Sequence, residues 1–424
     1  MGVRFGSGLV VLAAIALVQL AAQAPDAGAK KLVESSQFGQ ASAFIRADYD
    51  RFVRELTAIT EIPAPPFKEQ RRGKAFVQML QQLGLRDVEM DAEGNAIGLR
   101  PGSANGPMLA VVAHLDTVFP EGTDVKVKRD GTRLMAPGIG DNSRGLAVML
   151  AVIRAMDAAK FRTAGDILFV GNVGEEGTGD LRGVKYLLQR GQYKDRIRRF
   201  VAIDGGDQRS ITRGAVGSKR YRVTFKGPGG HSYGAFGLVN PAYAMASAIA
   251  RLADVDVPSN PRTTFNVGVV DGGTSVNAIP FAVSMDVDLR SESCAELDTL
   301  DAAFVGIVRT SVDGENRARS TTQGRIEADP KVIGERPCGE TPPQAPIVQA
   351  TAAVLRAFGL EPRYAFGSTD SNIPMSLGIP AVTIGRGAGG RAHSLEEWTD
   401  VDPQGVAHSI EIALAMIVML AGLA

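Results

Sequence analysis

The chain has 424 residues, of which 45% are hydrophobic and 22% charged, a composition typical of soluble globular proteins and a length that suggests two domains. Its 46 basic and 46 acidic residues give a formal net charge of zero, so no overall positive field exists to hold nucleic acid or an anionic membrane. The two cysteines, Cys294 and Cys338, are too few for a disulfide framework or a cysteine metal site. Because they fall in different predicted domains, we expect two free thiols.

The first 29 residues have the pattern of a secretory signal. Arg4 precedes an apolar run over residues 9–22, and small residues follow at 22–24 and 27–29. The run is short for a membrane span, and an uncleaved anchor is the alternative interpretation. We therefore expect an exported protein, periplasmic or secreted, that has no membrane contact after cleavage and whose fold begins after residues 24 to 29.

The next elements predict an α/β fold with a mostly parallel, doubly wound sheet covered on both faces. Amphipathic helices are predicted over 41–57 and 68–83 and after Asn142, and a last helix is predicted to start near Pro403. The predicted buried strands are 109–113, 167–173, 201–204 and 381–384. In such folds the chemistry gathers at the carboxyl ends of the strands.

Residues 214–328 show a different periodicity and are predicted to form an inserted α+β domain. Strands are predicted over 221–225, 264–270, 279–289 and 320–326, and helices over 241–252 and 295–308. This order predicts a four-stranded sheet with two helices on one side. The catalytic domain would then consist of residues 30–213 and 329–424, rejoined through the Pro-rich segment 337–346.

His114 and Asp116, in the sequence Ala-His-Leu-Asp-Thr, follow a predicted buried strand. Period-two geometry points both side chains to the same side, so the carboxylate can accept one ring N–H and leave the other nitrogen for a metal. A plain hydrogen-bonded pair is the alternative interpretation.

Asp141 lies in the loop Gly-Ile-Gly-Asp-Asn-Ser-Arg-Gly, directly before a predicted helix. It is either the N-cap of that helix or a carboxylate that bridges two metal ions. In the second case, Asn142 or Ser143 is left to cap the helix.

Glu175 and Glu176 are neighbours in Val-Gly-Glu-Glu-Gly, at the end of the most apolar predicted strand. Adjacent carboxylates repel each other unless a cation is close. Either this is a solvated turn, or one glutamate binds a metal while the other takes a proton from a water at that metal.

Asp204 also ends a predicted strand, and His393 follows a glycine-rich loop. Combined with the three motifs above, they complete a set of nitrogen and oxygen ligands, one bridging carboxylate and a spare base, which is what a pair of hydrolytic zinc ions requires. The chain has four histidines, and His408 in the terminal helix is more typical of a structural residue.

The order HLDT, GDNSRG, GEEG, IDGG, GPGGHS and RAHS resembles the dizinc aminoacylase, carboxypeptidase and tripeptidase family of the MH clan, in its peptidase T-like branch. The resemblance covers nearly the whole chain after the signal. It implies an exopeptidase of di- or tripeptides that uses two zinc ions, with cobalt or manganese as alternative metals, and a homodimer formed through the inserted lid domain. An amidohydrolase of N-acyl or N-carbamoyl amino acids is the second interpretation, and a peptide-binding protein without catalysis is the third.

The resemblance also assigns roles by motif. It implies two sets of zinc ligands: His114, Asp141 and Asp204 for one ion, and Asp141, Glu176 and His393 for the other. Glu175 would be the general base and later the proton donor, with Asp116 orienting His114.

Further residues are assigned by the same resemblance in the inserted domain. His231 resembles a lid histidine that stabilises the developing oxyanion in the partner subunit's site; ordering a Gly-rich turn is its alternative role. Asn277 and Arg290 resemble lid residues that meet polar groups of the substrate, although Arg290 also fits a plain surface position. In the catalytic domain, Asp370 would only cap a turn, and Asn142 stands where many relatives have an acid, without removing a ligand.

Overall fold

The computed structural model describes residues 25–423. These divide into two compact units, an insert of Gly214–Gly339 and a larger unit made of the described residues through Arg213 and from Glu340 onward. The helices are α1 over residues 25–33, α2 Ser36–Ala47, α3 Tyr49–Thr60, α4 Gln70–Gln82, α5 Gly145–Ala158, α6 Arg182–Gln189, α7 Pro241–Ala253, α8 Cys294–Ala318, α9 Pro346–Ala357, α10 Asn372–Ser376 and α11 Pro403–Ala421.

The strands follow the same chain order. They are β1 Arg86–Met90, β2 Ala96–Arg100, β3 Gly106–His114, β4 Lys128–Asp130, β5 Arg133–Met135, β6 Gly165–Asn172, β7 Ile197–Gly205, β8 Ser210–Ala215, β9 Gly217–Lys226, β10 Gly230–His231, β11 Thr263–Gly272, β12 Ala278–Ile279, β13 Ala282–Ser291, β14 Glu327–Arg336, β15 Gly339–Glu340, β16 Arg363–Gly367, β17 Ala381–Gly385, β18 Gly389–Gly390 and β19 Trp398–Asp400. A π-helical turn, Ile139–Arg144, leads into α5.

The main sheet has the order β1-β2-β6-β3-β7-β17-β8-β15, with β16 also paired to β8. Its four central strands, β6, β3, β7 and β17, are parallel, and β1, β2 and β8 pair antiparallel at the flanks. These central strands are the four that the sequence predicts. They could be located because a strand that is buried on both faces consists of an uninterrupted run of apolar residues. The mixed α/β fold with a mostly parallel central sheet is therefore confirmed.

Helices α5 and α11 form much of the core on one face of this sheet. Nearly every residue of α5 is buried, and its side chains pack in one cluster with Leu109 and Val111 of β3. Among the described residues, α11 is long and apolar enough to cross a membrane by length and composition, but most of it is buried inside the protein. It is a core helix.

The predicted helix over 41–57 is two helices in the structure. Helix α2 ends and α3 begins at Asp48, whose backbone (φ −86°, ψ 4°) leaves the helical conformation. The apolar pattern continues across the break because α2 and α3 both pack on α5, so periodicity alone did not reveal it.

The insert has a sheet of order β11-β13-β9-β14, and α7 and α8 pack on it. The predicted fourth strand, 320–326, is wrong. Those residues form no strand, and β14 Glu327–Arg336 takes the place by pairing antiparallel with β9. Pro330 and the charged residues of β14 conceal it in the sequence, and they are tolerated because β14 is an edge strand.

The later strand moves the end of the insert from the predicted residue 328 to Gly339. Cys294 and Cys338 thereby fall in the same unit, with Cα atoms 5.6 Å apart, and they form a disulfide. The expectation of two free thiols is wrong, since it rested on the misplaced boundary.

The predicted signal segment lies largely outside the described residues. Residues 25–29, at its end, are helical in α1, and Ala29 is buried in the core of the larger unit. Helix α1 therefore includes residues 25–29, which the prediction assigned to the signal. Only a signal that ends at residue 24, the earlier limit of the predicted range, leaves α1 intact.

Candidate metal centre and active site

The predicted metal-binding side chains converge at one edge of the main sheet. His114 ends β3, Asp204 lies near the end of β7, and Glu176 follows β6. Parallel strands end at the same edge, so these three groups are brought together by the topology. Asp141 joins them from the π-helical turn before α5, and His393 joins from the loop after β18.

Asp141 lies between the two histidines. Its Oδ1 is 3.0 Å from Nε2 of His114, and its Oδ2 is 3.4 Å from Nε2 of His393. Asp204 Oδ1 lies 3.7 Å from His114 Nε2, while Glu176 Oε1 lies 2.8 Å from His393 Nε2. Each carboxylate oxygen of Asp141 thus faces a separate group of one histidine and one further acid.

The ring of His114 is held in one orientation. Its Nδ1 lies 3.0 Å from the backbone carbonyl of Asp116, and because a carbonyl only accepts, Nδ1 carries the proton. In the neutral ring, Nε2 then carries a lone pair that points at the carboxylate of Asp141, which also only accepts hydrogen bonds. Such an arrangement requires either a second proton on the ring or a cation between the two groups.

The pKa values of the site groups follow from this crowding of acceptors. Burial alone lowers the pKa of His114, but its contacts with Asp116, Asp141 and Asp204 raise it well above the ordinary value. Hydrogen bonds to Asp141 and Glu176 raise the pKa of His393 to about 10.

Asp141 itself shows the opposite shift. Burial raises its pKa, but the Arg386 guanidinium and the two histidines outweigh burial and hold it well below the usual range. The carboxylate is therefore ionised, as a metal ligand must be.

Asp116 acts in a different way from the one expected. Its Oδ1 is 3.7 Å from His114 Nδ1, which is too far for a hydrogen bond, and the carboxylate accepts instead from the backbone N–H groups of Glu175 (3.0 Å) and Glu176 (2.8 Å). Its backbone carbonyl, and not its carboxylate, orients His114. The side chain of Asp116 holds the turn that presents the two glutamates.

Asn142 does not face the ligand set. Its Nδ2 donates to the carbonyl of Ile203, and its Oδ1 accepts from the N–H of Gly145 at the start of α5. The predicted capping role is confirmed, and the missing second acid at this position removes no ligand oxygen from the cluster.

Arg386 is a site residue that the sequence reasoning missed. Its Nη1 lies 2.5 Å from Asp204 Oδ1 and 3.5 Å from Asp141 Oδ1, and the side chain is almost fully buried. The available signal was an arginine between glycines directly after a predicted strand, in the same loop as His393.

Glu397 and Asp370 were also missed as site residues. Glu397 is buried and accepts hydrogen bonds from the Asp141 loop, although nothing in the run after His393 distinguishes it from its neighbour Glu396. Asp370 is buried and accepts from Asn172 Nδ2 at 2.8 Å, and burial raises its pKa to about 7. The predicted turn-capping role of Asp370 is wrong, because the side chain of Asn372 bonds the N–H of Thr369 instead.

The donor set fits metal binding. Ligand atoms of His114, Asp141 and Glu176 lie within 4.8 Å of one another, so this part of the site can hold a metal ion. Imidazole nitrogens and carboxylate oxygens are the ligands that zinc takes in hydrolytic sites. The buried carboxylates at this site carry more negative charge than the guanidinium of Arg386 can balance. Divalent cations would compensate the excess negative charge.

The sequence of residues 110–418 matches the family model described as Peptidase family M20/M25/M40, which is well over half of the chain. The chain belongs to this family. It is therefore a metallopeptidase, and its site offers ligands for metal ions.

Similar proteins within and around the M20 family differ in the reactions for which they are named. Carboxypeptidase G2 of Pseudomonas sp. (strain RS-16) is 26% identical over 235 residues, which is 54% of this chain and only about half (53%) of that protein. Succinyl-diaminopimelate desuccinylase of Corynebacterium glutamicum is 23% identical over 353 residues, 81% of this chain and 90% of that protein.

Solved structures agree with the M20 fold over most of the chain. The aminopeptidase PepT of Bacillus cereus superposes with a TM-score of 0.72 at 22% identity, covering 88% of this chain and 99% of that one. A Bacillus subtilis protein described as a dinuclear metal binding peptidase from the M20 family has a TM-score of 0.65 at 18% identity, with coverages of 88% and 99%. At these identities the likeness concerns the fold.

The remaining residues that the sequence singled out in this M20 chain lie in the insert. His231 and Asn277 are neighbours there, since β10 pairs with β12 and the N–H of Ser232 donates to the Asn277 carbonyl at 2.9 Å. Both are exposed. Arg290 lies on β13 and its Nε donates to Asp288, which is the plain surface arrangement that the sequence left open.

His231 has a defined tautomer. The N–H groups of Tyr233 and Gly234 both donate to its Nδ1, each at 3.3 Å, so in the neutral ring the proton is on Nε2. The exposed edge of the ring is therefore a hydrogen-bond donor.

Proposed function

We propose that this chain is an exported zinc exopeptidase that hydrolyses short peptides of the di- or tripeptide type. The observation that carries the proposal is the position of Asp141, whose two oxygens face two different histidines, each accompanied by a further carboxylate. A carboxylate so placed can bridge two ions.

The proposed ligands follow from these contacts. One ion would be held by His114, Asp141 and Asp204, and the other by Asp141, Glu176 and His393. When bound, the ions supply Lewis acidity toward the scissile carbonyl and lower the pKa of the attacking water.

Glu175 is the proposed general base. It is buried beside the ligand Glu176, and its backbone is fixed by Asp116, yet the cluster of ligand atoms among the described residues includes Glu176 and not Glu175. Its carboxylate takes a proton from water as the oxygen adds to the carbonyl carbon. It then gives that proton to the amine nitrogen as the C–N bond breaks.

Glu175→Gln tests this role. Because the ligands are untouched, we expect zinc content to stay at two per chain while kcat falls about 10²- to 10⁴-fold. Glu34→Gln, on an exposed part of the larger unit, is the matched control. Near-normal turnover in zinc-replete Glu175→Gln would refute the assignment.

The substrate class needs its own experiment, because the desuccinylase likeness favours a second candidate, an amidohydrolase of N-acyl or N-carbamoyl amino acids. We expect kcat/KM on a free-amino tripeptide to exceed that on its N-acetylated and N-succinylated forms by at least about tenfold. Faster cleavage of the N-acylated forms would select the second candidate while leaving the metal centre unchanged.

His231 is the proposed oxyanion donor, and its Nε2–H supports this because a neutral donor must carry its proton on the exposed nitrogen. Removing one such donor in other hydrolases costs about 10²- to 10³-fold in kcat. We expect His231→Ala to lower kcat in that range with little change in KM. A normal kcat would exclude the role.

A homodimer formed through the insert is also proposed. Strand β11 is an edge of the insert sheet and exposes Val269 and Val270, and an apolar open edge favours pairing with another chain. Light scattering should give twice the chain mass for the wild type, and Val270→Lys should reduce it toward the monomer. A monomeric wild type would contradict the proposal.

Export is supported by the pattern of residues 1–24 and by the Cys294–Cys338 disulfide, since such bonds persist in oxidising compartments. Fractionation of cells that express the full chain tests this. Recovery of the protein only in the cytoplasm would refute it.

A further inference from the structure

Glu397 makes an unusual set of contacts with the loop that carries Asp141. Its Oε1 accepts from the N–H groups of Gly140 (2.8 Å) and Asp141 (2.7 Å), and its Oε2 accepts from Gly138 (2.9 Å). The backbone carbonyl of Glu397 also accepts from Ala136 at 3.1 Å. One buried side chain thus binds three of the four N–H groups between Gly138 and Asp141.

Only a carboxylate satisfies these three donors. Both of its oxygens accept and neither carries a proton when ionised, whereas a glutamine would turn an NH2 group toward at least one backbone N–H. The buried N–H left without an acceptor would then lose its hydrogen bond to protein with no water to replace it.

The loop and Glu397 are also in direct steric contact. A Cβ at Gly140 would lie 2.9 Å from Glu397 Oε1, closer than real side chains approach. The absence of a side chain at this glycine is what allows the carboxylate to reach the backbone.

We propose that Glu397 is a positioning residue that fixes Asp141 so that each of its oxygens faces one ion, which rests on the ligand assignment proposed above. Asp141 would be the residue shared by both ions. Loosening its loop should therefore weaken both ion sites together, and not one of them.

The test measures metal binding directly. Zinc affinities of the chelator-treated wild type, Glu397→Gln and Glu411→Gln are determined by competition with a chromogenic chelator, and the cobalt-loaded proteins are compared by visible absorption. Glu411 is the matched control, because it is a buried glutamate of the same unit that bonds Ser42 and Arg46 on α2.

We expect Glu397→Gln to weaken both zinc ions by roughly 10- to 100-fold, as happens when partners of metal ligands are removed, and to change the cobalt spectrum. Glu411→Gln should match the wild type in both. Gly140→Ala, which displaces the carboxylate by its methyl group, should reproduce the effect, and it decides the question if Glu397→Gln does not fold.

Two results would overturn the inference. If the wild type binds two ions and Glu397→Gln, or Gly140→Ala in its place, binds both with unchanged affinity or loses only one, the positioning role is wrong while the proposed function stands. If the wild type itself binds fewer than two zinc ions, the two-ion assignment fails and this inference fails with it.

Discussion

Asp116→Asn tests whether the Asp116 side chain holds the turn that carries Glu175 and Glu176, in place of the predicted role of orienting His114. The carboxylate is fully buried and accepts from the N–H groups of Glu175 and Glu176. An asparagine can still accept one of these hydrogen bonds, but its NH2 group faces the other N–H. A hydrogen bond to a charged acceptor contributes about 1.5–3 kcal/mol, and a buried donor without a partner costs about 1–3 kcal/mol.

We therefore expect Asp116→Asn to lower the unfolding free energy of the zinc-free larger unit by about 2–4 kcal/mol. Trp398 is the only tryptophan of the chain and lies in this unit, so urea unfolding followed by its fluorescence reports on the right part of the molecule. The measurement is made with a chelator present, so that altered zinc binding does not enter the result.

Asp402→Asn is the control for the same chemical change. Asp402 caps α11 through one exposed hydrogen bond to the N–H of Gly405, and asparagine caps a helix about as well, so the cost should stay below about 0.5 kcal/mol. If Asp116→Asn also cost less than about 0.5 kcal/mol, the carboxylate would not be holding the glutamate turn, and the reasoning from its hydrogen bonds would be refuted.

Three further predictions concern charge, protons and the disulfide. Arg386→Ala should destabilise the zinc-free protein by about 3 kcal/mol, because it removes the guanidinium that pairs with the largely buried Asp204 carboxylate. Zinc should reduce that loss, and equal losses with and without zinc would contradict the prediction. In zinc-free protein, the raised pKa of His393 means that its stabilising contribution is full below about pH 6.5 and is lost as pH rises through about 10. The urea midpoint should therefore depend less on pH over this range in His393→Gln than in the wild type. An unchanged pH dependence would contradict the prediction. Reducing Cys294–Cys338, which closes a loop of 44 residues, should destabilise the insert by about 3–4 kcal/mol, as measured by calorimetry. The unfolding transition of Cys294→Ser should not respond to reductant. An unfolding transition of the wild type that reductant leaves unaltered would argue against the bond.

The sequence predicted the parts of the fold that depend on local pattern. Strands β3, β6, β7 and β17 are continuous apolar runs, and strand β13 alternates strictly, so each could be located without coordinates. Strand β14 could not, since Pro330 and its charges are acceptable only at a sheet edge, and whether a segment becomes an edge is decided by its pairing with β9. The disulfide was missed for the same reason, because the boundary after β14 determines which unit contains Cys338.

In the metal centre, the sequence by itself determined which residue types were available, because histidines and acids at strand ends and in glycine-rich loops are visible in the motifs. The tertiary structure alone decided which position and which contacts each of these residues has in the site. It placed Asp141 between His114 and His393, turned the carboxylate of Asp116 toward the backbone of the glutamate turn, and brought Glu397 onto a loop more than 250 residues earlier in the chain. The physical reason is that hydrogen bonds to backbone N–H groups leave no pattern in the sequence of either partner, since every residue except proline carries the same donor.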